Sequence, residues 1–166
     1  MKSQSRNRSR KLLFLTLFSA IVYFSACNSA ILIHTTEEVP NGIWTVSDTL
    51  SSSFVVTDTF HVHNIWINTR LSQEYAFSNL YLSYTLLGPG GMNISEVTDF
   101  QVTNKAGKWL GSGFAELHSY SFPIFENLPL KTMGTYRVNV VQHMRVDDLA
   151  GVKDRGIKVE TGQEIF

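Results

Sequence analysis

Histidine side chains offer the first chemistry to test in this sequence. His61 and His63 are two residues apart, so in a β-strand both imidazoles would lie on one face. Such a pair holds a metal ion when a third ligand comes from a neighbouring strand. The sequence contains no H-E-x-x-H pattern and no evident third ligand. Two partly exposed strand histidines are the favoured interpretation, and no metal site or cofactor is predicted.

The carboxylates suggest two further sites, and the sequence establishes neither. Asp147, Asp148 and Asp154 do not match the D-x-[DN]-x-[DN]-G calcium loop, so a solvated turn is favoured. Glu116 and Glu126 would form a glycosidase pair only if the fold brought their carboxyl groups close together. The sequence does not give that separation.

A serine nucleophile is not indicated either. The sequence has no G-x-S-x-G elbow and no phosphate-binding G-x-x-x-x-G-K-[ST] loop. Gly111-Ser112-Gly113 is interpreted as a bend, because no strand-then-helix pattern surrounds it. We therefore expect that the protein is not an enzyme.

Cys27, the only cysteine, lies at the end of a secretory signal. A basic segment, Lys2 to Lys11, precedes a 13-residue apolar run, Leu12 to Phe24, and then Ser25-Ala26. The pattern resembles a bacterial lipoprotein signal, although Phe24 stands where leucine is usual. The apolar run is shorter than the roughly 20 residues that span a bilayer. We expect cleavage before Cys27 and lipidation of its thiol by acyl chains such as palmitate; an uncleaved anchor is the alternative.

The predicted domains follow from this signal. Residues 1–26 are the signal peptide, residues 27–42 are the lipidated cysteine with a tether that stops at the turn Pro40-Asn41-Gly42, and residues 43–166 are the folded domain. The chain after the signal carries 9 basic and 14 acidic residues, a net charge of −5. This balance argues against nucleic acid as a partner and against electrostatic docking to anionic lipid. The expected partner is the lipid bilayer, through acylated Cys27.

Short runs of strand composition separated by turns predict an all-β fold. Residues 79–87 are the clearest strand, with Leu80, Leu82, Tyr84 and Leu86 on one face. Residues 135–144 form another, with Tyr136, Val138, Val140 and Met144 toward the core. Residues 123–130 and 145–156 are predicted loops. We expect an antiparallel β-sandwich, Ig-like or jelly-roll-like, and a closed barrel is the alternative.

Seven segments between Trp44 and Glu160 carry motifs of a known family: Asn68-Thr69-Arg70, Tyr75 to Leu82, Gly107 to Gly113, Gly134-Thr135-Tyr136, Gln142 to Asp147, Leu149 to Val152 and Asp154 to Ile157. These segments resemble those of the gliding-motility lipoprotein GldH family of Bacteroidetes. Asp148 stands where that family usually has proline, and Leu71 replaces the asparagine expected after Arg70.

The resemblance implies an accessory or structural lipoprotein of the cell envelope. Its expected setting is gliding motility or the linked type IX secretion machinery, with other envelope lipoproteins of that machinery as partners. Asn28 follows Cys27, and no acidic residue precedes Glu37. In lipoproteins of the kind that the resemblance implies, these positions influence sorting between membranes. The expected location is therefore the periplasmic face of the outer membrane.

Two groups of residues are candidates for binding. The late polar stretch with Arg145, Asp147 and Asp154 is the expected interaction loop, although an internal pair of Arg145 with one of these aspartates is the favoured interpretation. Trp109 is either a contact aromatic or, more in keeping with its size, a core plug. The alternative function is glycan binding by stacking, which requires Trp44, Trp66 or Trp109 to be exposed on one face.

Overall fold

The computed structural model describes residues 30–114 and 116–165. This part of the chain contains two 3-10 turns, Pro40–Gly42 and Pro89–Gly91, and no α-helix. None of its helical segments is long and apolar enough to span a membrane. Its strands are β1 (Ile31–His34), β2 (Glu37–Glu38), β3 (Ile43–Thr45), β4 (Leu50–Val56), β5 (His61–Ser72), β6 (Asn79–Gly88), β7 (Met92–Gln101), β8 (Ser112–Phe114), β9 (Leu117–Pro129), β10 (Gly134–Gln142), β11 (Asp148–Ala150) and β12 (Val152–Glu164).

Two open antiparallel sheets form a sandwich, as predicted. The larger sheet has the order β1-β12-β5-β9-β8, with β2 also paired to β12. The smaller sheet has the order β4-β10-β6-β7, and β3 pairs with β11 in a separate ribbon. All of these pairings are antiparallel. The all-β sandwich inferred from the strand pattern is confirmed.

The core lies between the inner faces of the two sheets, and period-2 alternation selects its residues. The predicted inward face of β6 is correct, because Leu80, Leu82, Tyr84 and Leu86 are all buried. On β10, Tyr136, Val138 and Val140 are buried as predicted. Met144 lies beyond the end of β10 and is only half-buried. The larger sheet contributes Ile65, Ile67, Leu71, Tyr120, Phe122, Ile157 and Val159.

Both predicted late loops are wrong in large part. Residues 123–130 lie almost entirely in β9, which tolerates Pro123 because the register with β5 shifts beside it. Residues 145–156 contain β11 and the start of β12, so that within this range only residues 145–147 and Gly151 lie between strands. The charged side chains that suggested a loop have partners within the sheet, as described below.

The predicted tether is also shorter than the sequence indicated. β1 pairs with residues 158–160 of β12, and β2 pairs with residues 154–155. Val39 and Gly42 are buried. The folded domain therefore includes the residues from Ile31 onward, because this segment covers the edge of β12 that would otherwise be open.

The strands give the sandwich two distinct ends. The start of β1, the end of β12 and the start of β5 meet at one end, which we call the N-terminal end. The start of β6, the end of β10 and residues 143–147 lie at the opposite, distal end. β5 spans 12 residues, so the two ends are about 35 Å apart.

Candidate interaction groove

The late loop, residues 143–147, joins β10 to β11 at the distal end of the sandwich. Gln142 holds this loop from inside the protein and is fully buried. Its Nε2 donates to the carbonyl oxygens of Val146 at 2.9 Å and Asp147 at 3.2 Å. Its Oε1 accepts from the backbone N–H of Met144 at 2.8 Å. One buried amide thus satisfies three backbone groups, which fixes the loop in one conformation.

An open groove of about 660 Å³ runs between this loop and the start of β6. The backbone joins its two walls, because His143 N–H donates to the Tyr81 carbonyl at 2.8 Å. The Tyr81 N–H in turn lies 3.2 Å from the Met144 sulfur. The groove is lined by Phe77, Asn79, Tyr81, His143, Met144 and Arg145.

The aromatic wall of the groove is supported from below by Tyr75. Its ring meets Phe77 edge-on, with 5.8 Å between ring centroids, and its hydroxyl donates to the Asn79 carbonyl at 2.7 Å. Burial raises the pKa of Tyr75 well above its ordinary value, so the phenol stays protonated and keeps donating. The groove is therefore preformed rather than dependent on a ligand for its shape.

Arg145 supplies the groove's cationic side chain. It is exposed and takes part in none of the ion pairs found within residues 30–114 and 116–165. Asp147 and Asp148 on the same connection are exposed as well. The predicted internal pairing of Arg145 with Asp147 or Asp154 is therefore wrong, and the guanidinium is available beside Tyr81 and Phe77.

Asp154 does not belong to this surface. It lies in β12, is almost fully buried, and pairs with Arg70 directly across the strand on β5. The carboxylate raises the pKa of Arg70 by hydrogen bonding and charge attraction. The pair is a cross-strand contact that stabilises the sheet, and it separates Asp154 from the loop to which the sequence assigned it.

A second charged cluster lies around Arg155, which is 4 % exposed. Its guanidinium packs over the Trp44 ring, 4.7 Å from the centroid, and contacts Glu37 and Asp48 at 2.7 Å each. Trp44 Nε1 donates to the Asp48 carbonyl at 2.8 Å. This cluster ties the N-terminal segment to the last strand. Sequence reasoning missed it, because its members are up to 118 residues apart and no local pattern links them.

The tryptophans are not arranged as a glycan platform. Trp44 is fully buried. Trp66 alternates with the buried Ile65 and Ile67, so it lies on the outer face of the larger sheet, beneath Lys158. Trp109 is half-buried and stacks on His118, with 4.5 Å between centroids. It thus acts partly as the predicted core plug, and the three indoles share no exposed face.

The two histidines of the predicted metal pair have different surroundings. His61 is partly exposed, as predicted, and pairs with Asp58 at 2.6 Å, but His63 is buried, so the expectation of two partly exposed histidines is wrong for His63. No group of three His, Cys, Asp or Glu side chains in the described ranges is placed to hold a metal ion. Glu116 immediately precedes β9 and Glu126 lies ten residues further along, so their backbones are about 30 Å apart, well beyond a glycosidase separation.

Two predicted sites remain. Ser112, which the sequence placed in a bend, lies in β8. Cys27, the predicted lipidation site, falls outside the described residues.

Comparison with known proteins gives consistent matches over almost the whole chain. Residues 31–159 match the family model described as GldH lipoprotein. The Gliding motility lipoprotein GldH homolog of Christiangramia forsetii is 28 % identical over 160 residues, covering 92 % of this chain and 97 % of the relative. The Gliding motility lipoprotein GldH of Flavobacterium johnsoniae is 26 % identical over 151 residues, covering 87 % and 92 %.

Similarity to solved structures is weak. The VP2 subviral particle of infectious bursal disease virus has a TM-score of 0.34 and 14 % identity, over 81 % of this chain and 32 % of that one.

Proposed function

The chain belongs to the GldH lipoprotein family, and from that premise we propose that it is a membrane-anchored, non-catalytic binding component of gliding motility. Acylated Cys27 holds it in the membrane. Its role is to contact another protein of the envelope machinery and not to transform a substrate. The linked type IX secretion system is part of the same proposal, because the resemblance between Trp44 and Glu160 implies gliding motility and type IX secretion together.

The observation that carries this proposal is the position of the groove at the distal end. The chain enters the fold at Ala30, where its backbone pairs with Thr161 at the N-terminal end. A domain anchored there presents its opposite end, about 35 Å away by strand length, to the space beyond the membrane. At that end, the aromatic wall and the exposed Arg145 suit an extended protein segment that carries an apolar side chain next to a carboxylate.

The proposed location is the periplasmic face of the outer membrane. Asn28 after Cys27 and the absence of acidic residues before Glu37 support it. In that compartment the distal groove would face periplasmic parts of the machinery.

Complementation of a deletion strain tests the proposal. The wild-type gene, Arg145→Glu combined with Tyr81→Ser, and Arg137→Glu would be expressed at equal levels, checked by immunoblot. Arg137 is the matched control, because it is an exposed arginine of the same sheet whose side chain hydrogen-bonds to Ser53, away from the groove. We expect the groove variant to lose most colony spreading and surface-protein export and the control to retain both. Full function of the groove variant, or a deletion without a phenotype, would remove the proposal.

A further inference from the structure

Exposed apolar side chains gather at the N-terminal end of the sandwich, opposite the groove. Phe60 is 67 % exposed, Ile31 60 %, Met133 59 % and Ile165 41 %. They come from different parts of the chain: the start of β1, the loop before β5, the loop before β10 and the residue after β12. We call these four residues the apolar rim.

Two of these side chains are held outward by ordered backbone. Asp58 Oδ1 accepts the N–H of Phe60 at 2.7 Å, and Asp58 Oδ2 contacts His61. The Phe60 hydrogen bond is also the main cause that lowers the pKa of Asp58. The Phe60 carbonyl accepts the N–H of Ile165 at 2.6 Å. The backbone hydrogen bonds therefore hold the turn that displays the exposed Phe60 ring.

The short length of chain between Cys27 and the folded domain indicates that the membrane lies next to this rim. Only residues 28–30 separate Cys27 from Ile31. The four residue steps from Cys27 to Ile31 reach about 14 Å even when fully extended. The polar headgroup zone on one side of a bilayer is about 6 Å thick, so the chain must cross that distance before it leaves the membrane. A domain acylated at Cys27 cannot stand away from the membrane. Its N-terminal end must lie against the headgroups.

We propose that the apolar rim inserts into the headgroup and acyl boundary of the bilayer, so that the domain docks on the membrane by its N-terminal end in a fixed orientation. This inference rests on the anchor named in the proposed function. The rim is flanked by Asp58, Glu164 and Lys131, a mixture of both signs. Apolar burial and not attraction to anionic lipid therefore drives the docking, which makes it insensitive to salt.

Docking orients the distal groove as well. Because the sheets are rigid and the rim and the groove lie at opposite ends, fixing one end directs Tyr81 and Arg145 away from the lipid surface. A flexible tether of the predicted length would have let the groove point in any direction.

Site-directed fluorescence on the full-length lipidated chain tests the proposal. Acylation of Cys27 consumes the only native thiol, so Phe60→Cys and Leu110→Cys each carry one label. Leu110 is the matched control, because it is an apolar residue, 56 % exposed, next to residues at the distal end. Each protein would be reconstituted into phosphatidylcholine vesicles with nitroxide-labelled acyl chains, and quenching by the nitroxide and by aqueous iodide would be measured at low and high salt.

We expect the label at position 60 to be quenched by the nitroxide and shielded from iodide about threefold or more relative to position 110, with no change in high salt. Equal quenching at the two positions in vesicle-bound protein would overturn this inference and leave the proposed function standing. Thiol labelling of the unsubstituted protein, or failure to float with the vesicles, would overturn the anchor and this inference together.

Discussion

At the scale of single residues, Arg155 shows how this protein uses a charge in its interior. The guanidinium is buried over Trp44 and meets two carboxylates, Glu37 and Asp48. A buried ion pair adds little over an apolar replacement of the same shape, but removal of one partner is costly. The cluster matters because it joins the N-terminal segment, and through it the membrane anchor, to the last strand.

Arg155→Met should lower the free energy of unfolding by about 2–3 kcal/mol, below the value for a fully buried pair because Glu37 and Asp48 are each about half exposed. Urea unfolding of the purified protein measures this loss. Arg137→Met, at an exposed arginine, should change stability by less than about 0.5 kcal/mol. Equal effects of the two substitutions would contradict the structural role given to Arg155.

His63 predicts a pH dependence of stability. Burial lowers its pKa below the ordinary value of 6.5, and its Nδ1 has no hydrogen-bond partner in the described structure. The unfolded chain therefore protonates first as the pH falls, and it binds more protons than the folded one. The free energy of unfolding should have its full value above pH 6.5. It should decrease as the pH falls from 6.5 through the lowered pKa of His63 in the folded protein.

Urea midpoints measured from pH 7.5 to pH 5 test this prediction. His63→Phe should flatten the profile in this range, whereas His143→Gln, at an exposed histidine, should keep the wild-type slope. The lowered pKa of Asp58 acts below this range, so it does not interfere. A wild-type profile that is flat from pH 7.5 to pH 5 would show that His63 is not held neutral.

At the scale of elements, the critical contact is that between the N-terminal segment and β12. A Cβ on Gly156 would lie 1.9 Å from the Thr35 carbonyl oxygen, and Thr35 N–H donates to the Ile157 carbonyl at 2.9 Å. The close approach of the two backbones requires glycine at this position, because any side chain would separate them.

Gly156→Ala should therefore loosen the N-terminal segment before the rest of the sandwich. We expect a loss of about 1–3 kcal/mol in global stability and faster hydrogen exchange at the Thr35 amide. Gly162→Ala is the control, because the added methyl would meet side-chain atoms of Val62 and Asn64 at 2.8 Å and 3.0 Å and no backbone atom closer than 3.6 Å. Unchanged exchange at Thr35 in the Gly156 variant would contradict this role for the glycine.

The elements also show how far sequence reasoning reached. Alternation of apolar residues identified β6, β10 and their buried faces, because a half-buried strand leaves a period-2 pattern. The same pattern did not identify the start of β12, because the sequence predicts Lys153, Asp154 and Arg155 as part of a polar loop. Their charges are matched by Glu74, Arg70, Glu37 and Asp48, which are remote in sequence. Pairing at such a distance leaves no local signal.

The candidate site was predicted only in part, because some of its residues come together from remote parts of the sequence. Arg145 and Asp147 were identified from the charge of the late loop and are exposed there. The aromatic wall was not identified, because Phe77 and Tyr81 reach the loop only through the register of β6 beside the end of β10. Asp154 was wrongly included, since its partner Arg70 lies 84 residues away.

At the scale of the whole molecule, the sandwich separates two surfaces. The apolar rim and the start of the N-terminal segment lie at one end, and the groove lies at the other end. Two long strands of the larger sheet, β5 and β12, connect the two ends with 12 and 13 residues each. The proposed docking would hold the groove at a set height above the membrane.

Docking of an envelope protein in the distal groove can be tested by photo-crosslinking in living cells. Benzoylphenylalanine would replace Tyr81 or, as the control, Val55, which is 55 % exposed at the other end of the same sheet. We expect one discrete crosslinked envelope protein from position 81, none from position 55, and loss of that product when Arg145→Glu is added. The same product from both positions, or none from position 81 in cells whose motility and export are intact, would show that the groove is not the docking site.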